Sequence, residues 1–579
     1  MGTLEATETK NKTAPSAPER IKGSEAIVRI LLEEGVDTAF GYPGGAIMPV
    51  YDALYDHQEK IKHVLARHEQ GAIHAAQGYA RASGKVGVCL ATSGPGATNL
   101  ITGIADAQID STPVVCITGQ VAASLLGSDA FQETDVIGIS MPVTKWNYQV
   151  TSAAEIPEAL SKAFYIARSG RPGPVVVDIT KNAQFEEFDF EYKKTTHIRS
   201  YVPVPKLDME KVKEAAEAID NAKRPYILFG QGVILGNAEK EFKTFIEKTG
   251  IPSAWTIMGL SALETDHPLN VGMLGMHGNY GPNLLTNECD VLIAIGMRFD
   301  DRVTGNLDKY AKQAKVIHLE IDPAEIDKNV PADIPVLGDA KESLIELTKL
   351  VKPNSHEEWL QRFRDCDAME QEKVIKEELN PNTEILSMGE VVRIINEKTQ
   401  GDAIIVTDVG QHQMVACRYS KFTKSKSNIT SGGLGTMGFG LPAGIGAALG
   451  APDRTVISIV GDGGLQMTIQ ELATIYQTKP KVKVLLLNNE FLGMVRQWQQ
   501  LFFDKRYSST EMINPDFQTL AKGFYIPTNK VTERENLEAA IEEFIDYDGA
   551  YFLEVMVGKE NNVFPMVPSG SGVAEIRLE

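Results

Sequence analysis

The segment Gly461 to Asn489, GDGGLQMTIQELATIYQTKPKVKVLLLNN, admits few folds. The apolar run VISIV before it (Val456 to Val460) reads as a strand buried on both faces of a parallel sheet. GDGG then makes a turn with no side-chain bulk except one carboxylate. LQMTIQELATIYQ carries helical spacing, and VKVLLLNN is a second buried strand ending in two amides. This strand–turn–helix–strand unit puts Asp462 and Asn489 at the C-terminal ends of parallel strands, where open α/β sheets bind ligands. Their oxygens, with a nearby main-chain carbonyl, make a hard-oxygen set suited to a small divalent ion, with positions left for two diphosphate oxygens. Gly461, Gly463 and Gly464 let backbone N–H groups approach a phosphate closely. GDG alone is more often a plain βα turn; GDG, helix, apolar strand and NN together reverse that preference.

The rest of the composition narrows the class. A chain of 579 residues is too long for one core and natural for three domains. The formal net charge of -20 leaves no basic stripe for phosphates, so neither nucleic acid nor an anionic membrane surface is an expected partner. No apolar run approaches the roughly 18 residues of a membrane span. The first residues, MGTLEATETKNKTAPSAPER, have no apolar core and read as a disordered tail (1–20) rather than a signal peptide. Cys89, Cys116, Cys289, Cys366 and Cys417 are scattered, odd in number and free of CxxC spacing. That predicts a reducing compartment, the cytoplasm, and no zinc site.

Strand and helix patterns alternate along the chain, predicting an α/β protein of three doubly wound parallel-sheet domains. The first is expected at 21–182, beginning with a helix capped by Ser24 and stopped at Gly35. It includes a small-residue helix from Gln70 to Ala82. A linker without clear period covers 183–204. The middle domain spans 205–351, with strands in RPYILFGQGV, DVLIAIGMRF and AKVIHLEID. A charged, solvated helix and linker cover 352–379, and the third domain runs over 380–557. The Gly/Pro/Ser-rich tail, 558–579, reads as a frayed end or a possible lid, with the frayed end favoured. TSGPGATNL (Thr92 to Leu100) and TSGGLGTMGFGL (Thr430 to Leu441) both precede small-residue helices, a faint echo that hints at duplication.

HEQGAIHAAQGYAR in the first domain is not HExxH, because its two histidines, His68 and His74, are too far apart, so a zinc protease is excluded. By itself it reads as two surface histidines and an ion pair. Beside the third-domain motif it gains meaning: GDG with NN 27 positions after the aspartate resembles the thiamine-diphosphate motif. That cofactor needs a carboxylate against N1′ of its aminopyrimidine, and Glu69, entering a small-residue helix after a strand, is placed to supply one from a largely apolar pocket. The order pyrimidine-binding, middle, pyrophosphate-binding resembles the thiamine-diphosphate enzymes that include pyruvate oxidase, pyruvate decarboxylase and acetolactate synthase. Within them the chain is most similar to the FAD-containing biosynthetic acetohydroxyacid synthase large subunits. The likeness rests on GYPGGAIMPVYDAL, HEQGAIHAAQGYAR, SGPGATNL, GSDAFQETD, SGRPGPVVVDITK, LGMHG, RFDDRVTGN, SGGLGTMGFGLPA and GMVRQWQ, and covers nearly everything after about residue 20.

The resemblance implies roles position by position. Glu69 is the N1′ activator; Gly45, Gln132 and Lys181 border the reaction centre; Phe131, Met494 and Trp498 line the substrate approach. Gln411, His412, Gly435, Met437, Gly461, Asp462, Gly463, Gly464 and Asn489 hold thiamine diphosphate, with Met437 propping the cofactor in its bent form. Mg²⁺ is held by Asp462, Asn489 and the Phe491 main-chain carbonyl. Arg171, Gly230, Gly232, Met276, His277, Gly296, Arg298, Asp300, Arg302, Asp322 and Asp339 contact FAD, which is mainly structural because the reaction has no net redox change. The implied activity decarboxylates pyruvate and ligates the two-carbon unit to a second pyruvate or to 2-oxobutanoate, the first common step toward valine, leucine and isoleucine. The active site then lies between subunits of a homodimer or tetramer, with a small regulatory subunit as a further partner. A flavin-dependent pyruvate oxidase is the alternative reading.

Overall fold

The structure, a computed structural model, describes residues 19–579. Most of the tail read at 1–20 therefore lies outside the described residues. Glu19 and Arg20 begin a strand, Glu19–Lys22, that pairs antiparallel with Glu187–Phe190. The second strand falls inside the stretch expected to be a linker. Its period is two: Phe188 and Phe190 pack on the first core while Glu187 and Asp189 face water. Four residues are too few for such a pattern to stand out from sequence.

Three six-stranded sheets follow, every strand pair parallel. The first runs, in spatial order, Lys62–Leu65, Thr38–Gly41, Gly87–Ala91, Val114–Gln120, Pro174–Thr180, Trp146–Val150. The third runs Asn428–Thr430, Ile404–Thr407, Val456–Gly461, Val482–Asn488, Tyr551–Met556, Thr528–Val531. Numbered by chain order within each sheet, both read 2-1-3-4-6-5. The middle sheet runs Asn270–Met273, Ser253–Trp255, Pro225–Phe229, Val291–Ile295, Lys315–Glu320, Ile334–Leu337, which is 3-2-1-4-5-6, the dinucleotide-binding order. Identical winding of the first and third sheets supports duplication, but the echo noted in the sequence joins non-equivalent loops. TSGPG follows the third strand of its sheet and TSGGLG the second.

The true counterparts are the helices after each second strand, Glu69–Ser83 and Gly440–Gly450, and they cross each other. The crossing is as close as backbones allow. A methyl group at Gly446 would stand 1.8 Å from the Ala75 carbonyl oxygen, and one at Gly78 2.0 Å from that of Ala443. The first of these helices starts one residue earlier than expected, with the His68 ring accepting from the Gln70 N–H, and ends at Gly84 (φ 75°). The expected Ser24 cap is not used: that helix is Gly23–Glu33, Lys22 holds the cap position, and Ser24 is buried inside the first turn.

Two further readings change. The segment at 352–379 holds the expected helix, but that helix is docked rather than solvated. Helix Glu357–Glu370 buries Trp359, Leu360, Phe363 and Cys366 against the middle domain. Its last residue, Glu370, accepts from Arg418 at 2.5 Å with both side chains about 1% exposed. Nor is the C-terminal tail frayed. Val563, Met566, Val567, Val573 and Ile576 are buried, and Val567 N–H donates to the Met276 carbonyl. The charged and Gly/Pro/Ser-rich compositions masked the few apolar residues that dock these segments. The helix crossing makes a sharp prediction: Gly446→Ala overpacks it and lowers stability by about 1–3 kcal/mol, read as a fall in the thermal or urea midpoint, whereas Gly523→Ala, where nothing lies within 4 Å and the backbone is not left-handed, leaves the midpoint nearly unchanged.

Candidate active site

Strand order decides where a ligand fits. In a 2-1-3-4 sheet the loops after strands 1 and 3 leave in opposite directions, opening a crevice at their C-terminal ends. In the third sheet these loops carry Asp408 to His412 and Gly461 to Gly464. In the middle sheet the corresponding switch lies between Pro225–Phe229 and Val291–Ile295, which lead into Gly230 and Gly296. Both crevices open into one cavity of about 1370 Å³, larger than the ~300–1,000 Å³ of a single-ligand pocket.

At the third-domain end Asp462 and Asn489 are both buried, at the ends of neighbouring strands. Burial pushes the Asp462 carboxyl up to about 6. Asn514 donates to it at 2.7 Å and, among the described residues, no cationic side chain pairs with it, a donor set short of positive charge that fits a divalent ion. The Phe491 N–H donates to Asn489 Oδ1 at 3.3 Å. Gln411 accepts from Asn489 Nδ2 at 3.3 Å and donates to Gln497 and the Asn561 carbonyl. His412 Nε2 is buried without a partner, and burial pushes the ring down to about 4, so it stands neutral. Helices Gln411–Tyr419, Asp462–Thr468 and Gly493–Phe502 all point their N-termini at this wall, as a diphosphate requires. Gly463 and Gly464 leave room there that a Cβ would fill, at 2.6 Å from Leu492 and 2.4 Å from Asp408. Gly435, at φ 68°, Met437, Met494 and Trp498 complete the wall.

At the middle-domain end Arg171, Gly232, Met276, His277, Gly296, Arg298, Asp300, Arg302 and Asp339 line the cavity. Both His277 ring nitrogens are buried and unpartnered, and burial with the Arg418 guanidinium nearby pushes it down to about 4. Gly230 and Asp322 do not reach the cavity. Gly230 instead lets two strand ends touch, since a Cβ there would lie 2.5 Å from the Gly296 carbonyl oxygen. Asp322 caps a helical turn and accepts from Arg171 at 3.1 Å. Asp300 and Asp339 likewise cap the helices that begin after them.

The remaining five candidates stand apart. Gly45, Glu69, Phe131, Gln132 and Lys181 follow the C-terminal ends of first-domain strands and none lines the cavity. Two of them stand against the Thr92–Gly96 turn: a Cβ at Gly94 would meet the Gln132 carbonyl at 2.8 Å and one at Gly96 would meet Glu69 Oε1 at 3.2 Å. Asn99 donates to Glu69 Oε2 at 2.9 Å, and Phe131 is 89% exposed.

Three family models match in order: the N-terminal thiamine pyrophosphate binding domain at residues 21–139, the central domain at 212–347 and the C-terminal binding domain at 408–555. The chain is 46% identical over 573 residues to the acetolactate synthase large subunit of Corynebacterium glutamicum, covering 97% of this chain and 91% of that protein. It is 46% identical over 557 residues to the acetolactate synthase isozyme 2 large subunit of Escherichia coli K12, with 96% and 99% covered. A probable acetolactate synthase large subunit of Methanocaldococcus jannaschii is 44% identical over 569 residues, with 96% and 95% covered. The chain belongs to the thiamine pyrophosphate enzymes, in the family of acetolactate synthase large subunits.

For a member of this family, the sequence motifs had not flagged several groups around the cavity. Asn514 joins Asp462 to Asn488 from an irregular segment with no pattern of its own. Asp408 stands just before the quoted Gln411 and accepts from the Val409, Gly438 and Gly440 N–H groups. Glu320 lines the cavity at the end of a buried strand, and its position after VIHL was the available signal. Burial pushes Glu320 up from 4.5 to about 7 while the Ile321 and Asp322 N–H groups bond its Oε1. Its folded value lies above its unfolded one, so between about pH 4.5 and 7 unfolding releases a proton and stability falls as pH rises. Glu320→Gln keeps the two acceptor bonds and removes that cost. Its expected gain in denaturant-derived stability is nil near pH 4, grows to about 3 kcal/mol by pH 7 and stays level above.

Proposed function

We propose that the chain is the catalytic large subunit of an acetolactate synthase, which decarboxylates pyruvate and joins the two-carbon unit to a second pyruvate or to 2-oxobutanoate. The observation that carries this reading is the third-domain wall, where Asp462, Asn489, Gln411 and His412 converge beside Gly435 and Met437 in a chain 44–46% identical to large subunits of that name. When bound, thiamine diphosphate supplies a carbon nucleophile and an electron sink. Asp462, Asn489 and the Phe491 carbonyl would hold Mg²⁺. Met437 and Gly435 would hold the aminopyrimidine, and Glu69 would be the carboxyl that exchanges a proton with that ring. Trp498 packs on the extra methyl group of 2-oxobutanoate, a contact worth ~1–3 kcal/mol of discrimination. Gly45, Gln132 and Lys181 orient the keto acids, and Phe131 with Met494 shields the approach from water.

Glu69 and its first-domain neighbours stand outside this chain's own cavity, which supports a site shared between two copies. Met48, Phe131 and Met141 are exposed on the first domain, and Leu434 and Met467 on the third. A two-fold homodimer covers both apolar sets at once and completes two sites. FAD fits the middle-domain end: its strand order is the dinucleotide-binding one, Gly232 and Gly296 on the cavity wall allow backbone approach, and Arg171, Arg298 and Arg302 supply positive charge for a diphosphate. The relatives are named large subunits, which supports a small regulatory partner. Five unpaired, buried cysteines fit the cytoplasm, and among the described residues no helix is long and apolar enough to cross a membrane.

Continuity of the two cavity ends is what a flavin-dependent pyruvate oxidase would also need, so the test must separate the two. The purified protein is expected to be yellow and, with thiamine diphosphate, Mg²⁺ and pyruvate, to form acetolactate while its flavin band stays oxidised. Bleaching without acetolactate would establish the oxidase instead. Glu69→Gln is expected to leave folding and flavin content intact and slow turnover by about 10²–10⁴-fold; unchanged turnover would remove Glu69 from the mechanism.

A further inference from the structure

The loop Ser431–Gly438 carries Gly435 and Met437 and contains Gly432, Gly433, Gly435 and Gly438. Such a chain has little conformational preference of its own, so the groups that hold it set its shape. Within its own domain the ends are gripped from outside the loop, and one internal bond, Thr436 N–H to Ser431 Oγ at 2.8 Å, spans it. Gln413 donates to the Thr430 hydroxyl and the Ser431 carbonyl, and Asp408 accepts from Gly438. The middle is held from the first domain. Asp110 accepts from Gly432 N–H at 2.8 Å and from Gly433 N–H at 2.7 Å. Asp106 Oδ1 accepts from the hydroxyls of Ser431 and of Thr436, the latter at 2.8 Å.

This grip is physically expensive. Both carboxyls are almost fully buried at the C-terminal end of helix Ile101–Ile109, where negative charge opposes the helix dipole. One turn apart, they repel each other. Arg81, buried with them, lies 3.8 Å from Asp110 and spends its hydrogen bond on the Thr430 carbonyl. Burial and the neighbouring Asp106 push Asp110 up to about 6. A core could be filled there by apolar side chains at less cost, so the carboxyls are retained for geometry. The next residue, Ser111, sits at φ 55° and bonds Arg171 Nε at 2.9 Å. One helix end therefore touches both the glycine loop and an arginine of the middle-domain wall.

We propose that Asp106 and Asp110 are positioning residues: through Ser431, Gly432, Gly433 and Thr436 they fix, from another domain, the loop that presents Gly435 and Met437 to the aminopyrimidine. This rests on the reading of Gly435 and Met437 given above. The full-length protein tests it through thiamine diphosphate titration by calorimetry, with deuterium uptake over residues 431–437. Asp110→Asn turns one acceptor toward a donor and is expected to weaken cofactor binding about tenfold or more and to speed exchange at Gly432 and Gly433. Its pyruvate KM at saturating cofactor is expected to stay within about twofold of wild type. Thr436→Val, a milder change of similar shape, is expected to weaken binding about three- to tenfold with the thermal midpoint little altered. Unchanged cofactor affinity and exchange in these variants overturns the proposal, provided Asp462→Ala abolishes binding. Loss of thermal midpoint, flavin content and cofactor affinity together, without a selective change at 431–437, reduces the pair to a structural role and also overturns it. If Asp462→Ala leaves binding intact, the site reading itself fails and the proposal falls with it.

Discussion

The contact on which the molecule depends is the crossing of Glu69–Ser83 with Gly440–Gly450. Two backbones approach until the Ala75 and Ala443 carbonyls occupy the space where a Cβ at Gly446 or Gly78 would stand. Any larger residue forces the first and third domains apart. The contact fixes more than stability. It also sets where Glu69 stands relative to the cavity of the same chain, whose lining does not include it. On the function proposed above, a second copy would bring the two sets of residues together.

Buried carboxyls do a second kind of work throughout the chain. Asp408 accepts from three backbone N–H groups, Glu370 from Tyr280 N–H, Asn279 and Arg418, and Glu471 from Arg67 N–H. Apart from the adjacent Val409 N–H at Asp408, the acceptor and the backbone it holds come from different loops or different domains. Glycine-rich turns that must approach phosphates closely cannot stiffen themselves, because the missing side chain that permits approach also removes packing. Carboxylates on neighbouring rigid elements supply the missing constraint, at the cost of burying charge. Arg418 extends the same logic, donating to the His277 and Gly278 carbonyls from the helix that begins at Gln411. One helix thus meets the third-domain wall at its start and the middle-domain wall at its end.

How much of this the sequence carried depends on the range of the interaction. Buried parallel strands such as Val456–Gly461 announce themselves by continuous apolar residues, and GDG with NN marks strand ends locally, so the three-sheet architecture and the third-domain wall were readable. Helix caps were less so. Ser24 had the right chemistry, but the chain reverses one turn earlier through pairing of Glu19–Lys22 with residues more than 160 positions away. The docked helix Glu357–Glu370 and the C-terminal tail were hidden because a few anchors, such as Trp359 and Met566, decide docking while charged and small residues dominate composition. Asp106 and Asp110 belong to no motif read from the sequence; only the fold brings Ser431 and Thr436 to the first and Gly432 and Gly433 to the second.

The common winding of the first and third sheets gives the site a symmetry that motifs alone do not show. Glu69 follows strand two of the first sheet, and the loop with Gly435 and Met437 follows strand two of the third. These loops are topological equivalents, and each leads into one of the two helices that cross. In the first domain that loop is short and ends in a carboxylate at the helix start; in the third it is longer and glycine-rich. On the function proposed above, a cofactor ring between such loops from two chains would meet the same topological position twice, once as an acid and once as a support. Such a division of roles needs different chemistry only in the loops, because the helix crossing and the strand order already fix where the two loops stand.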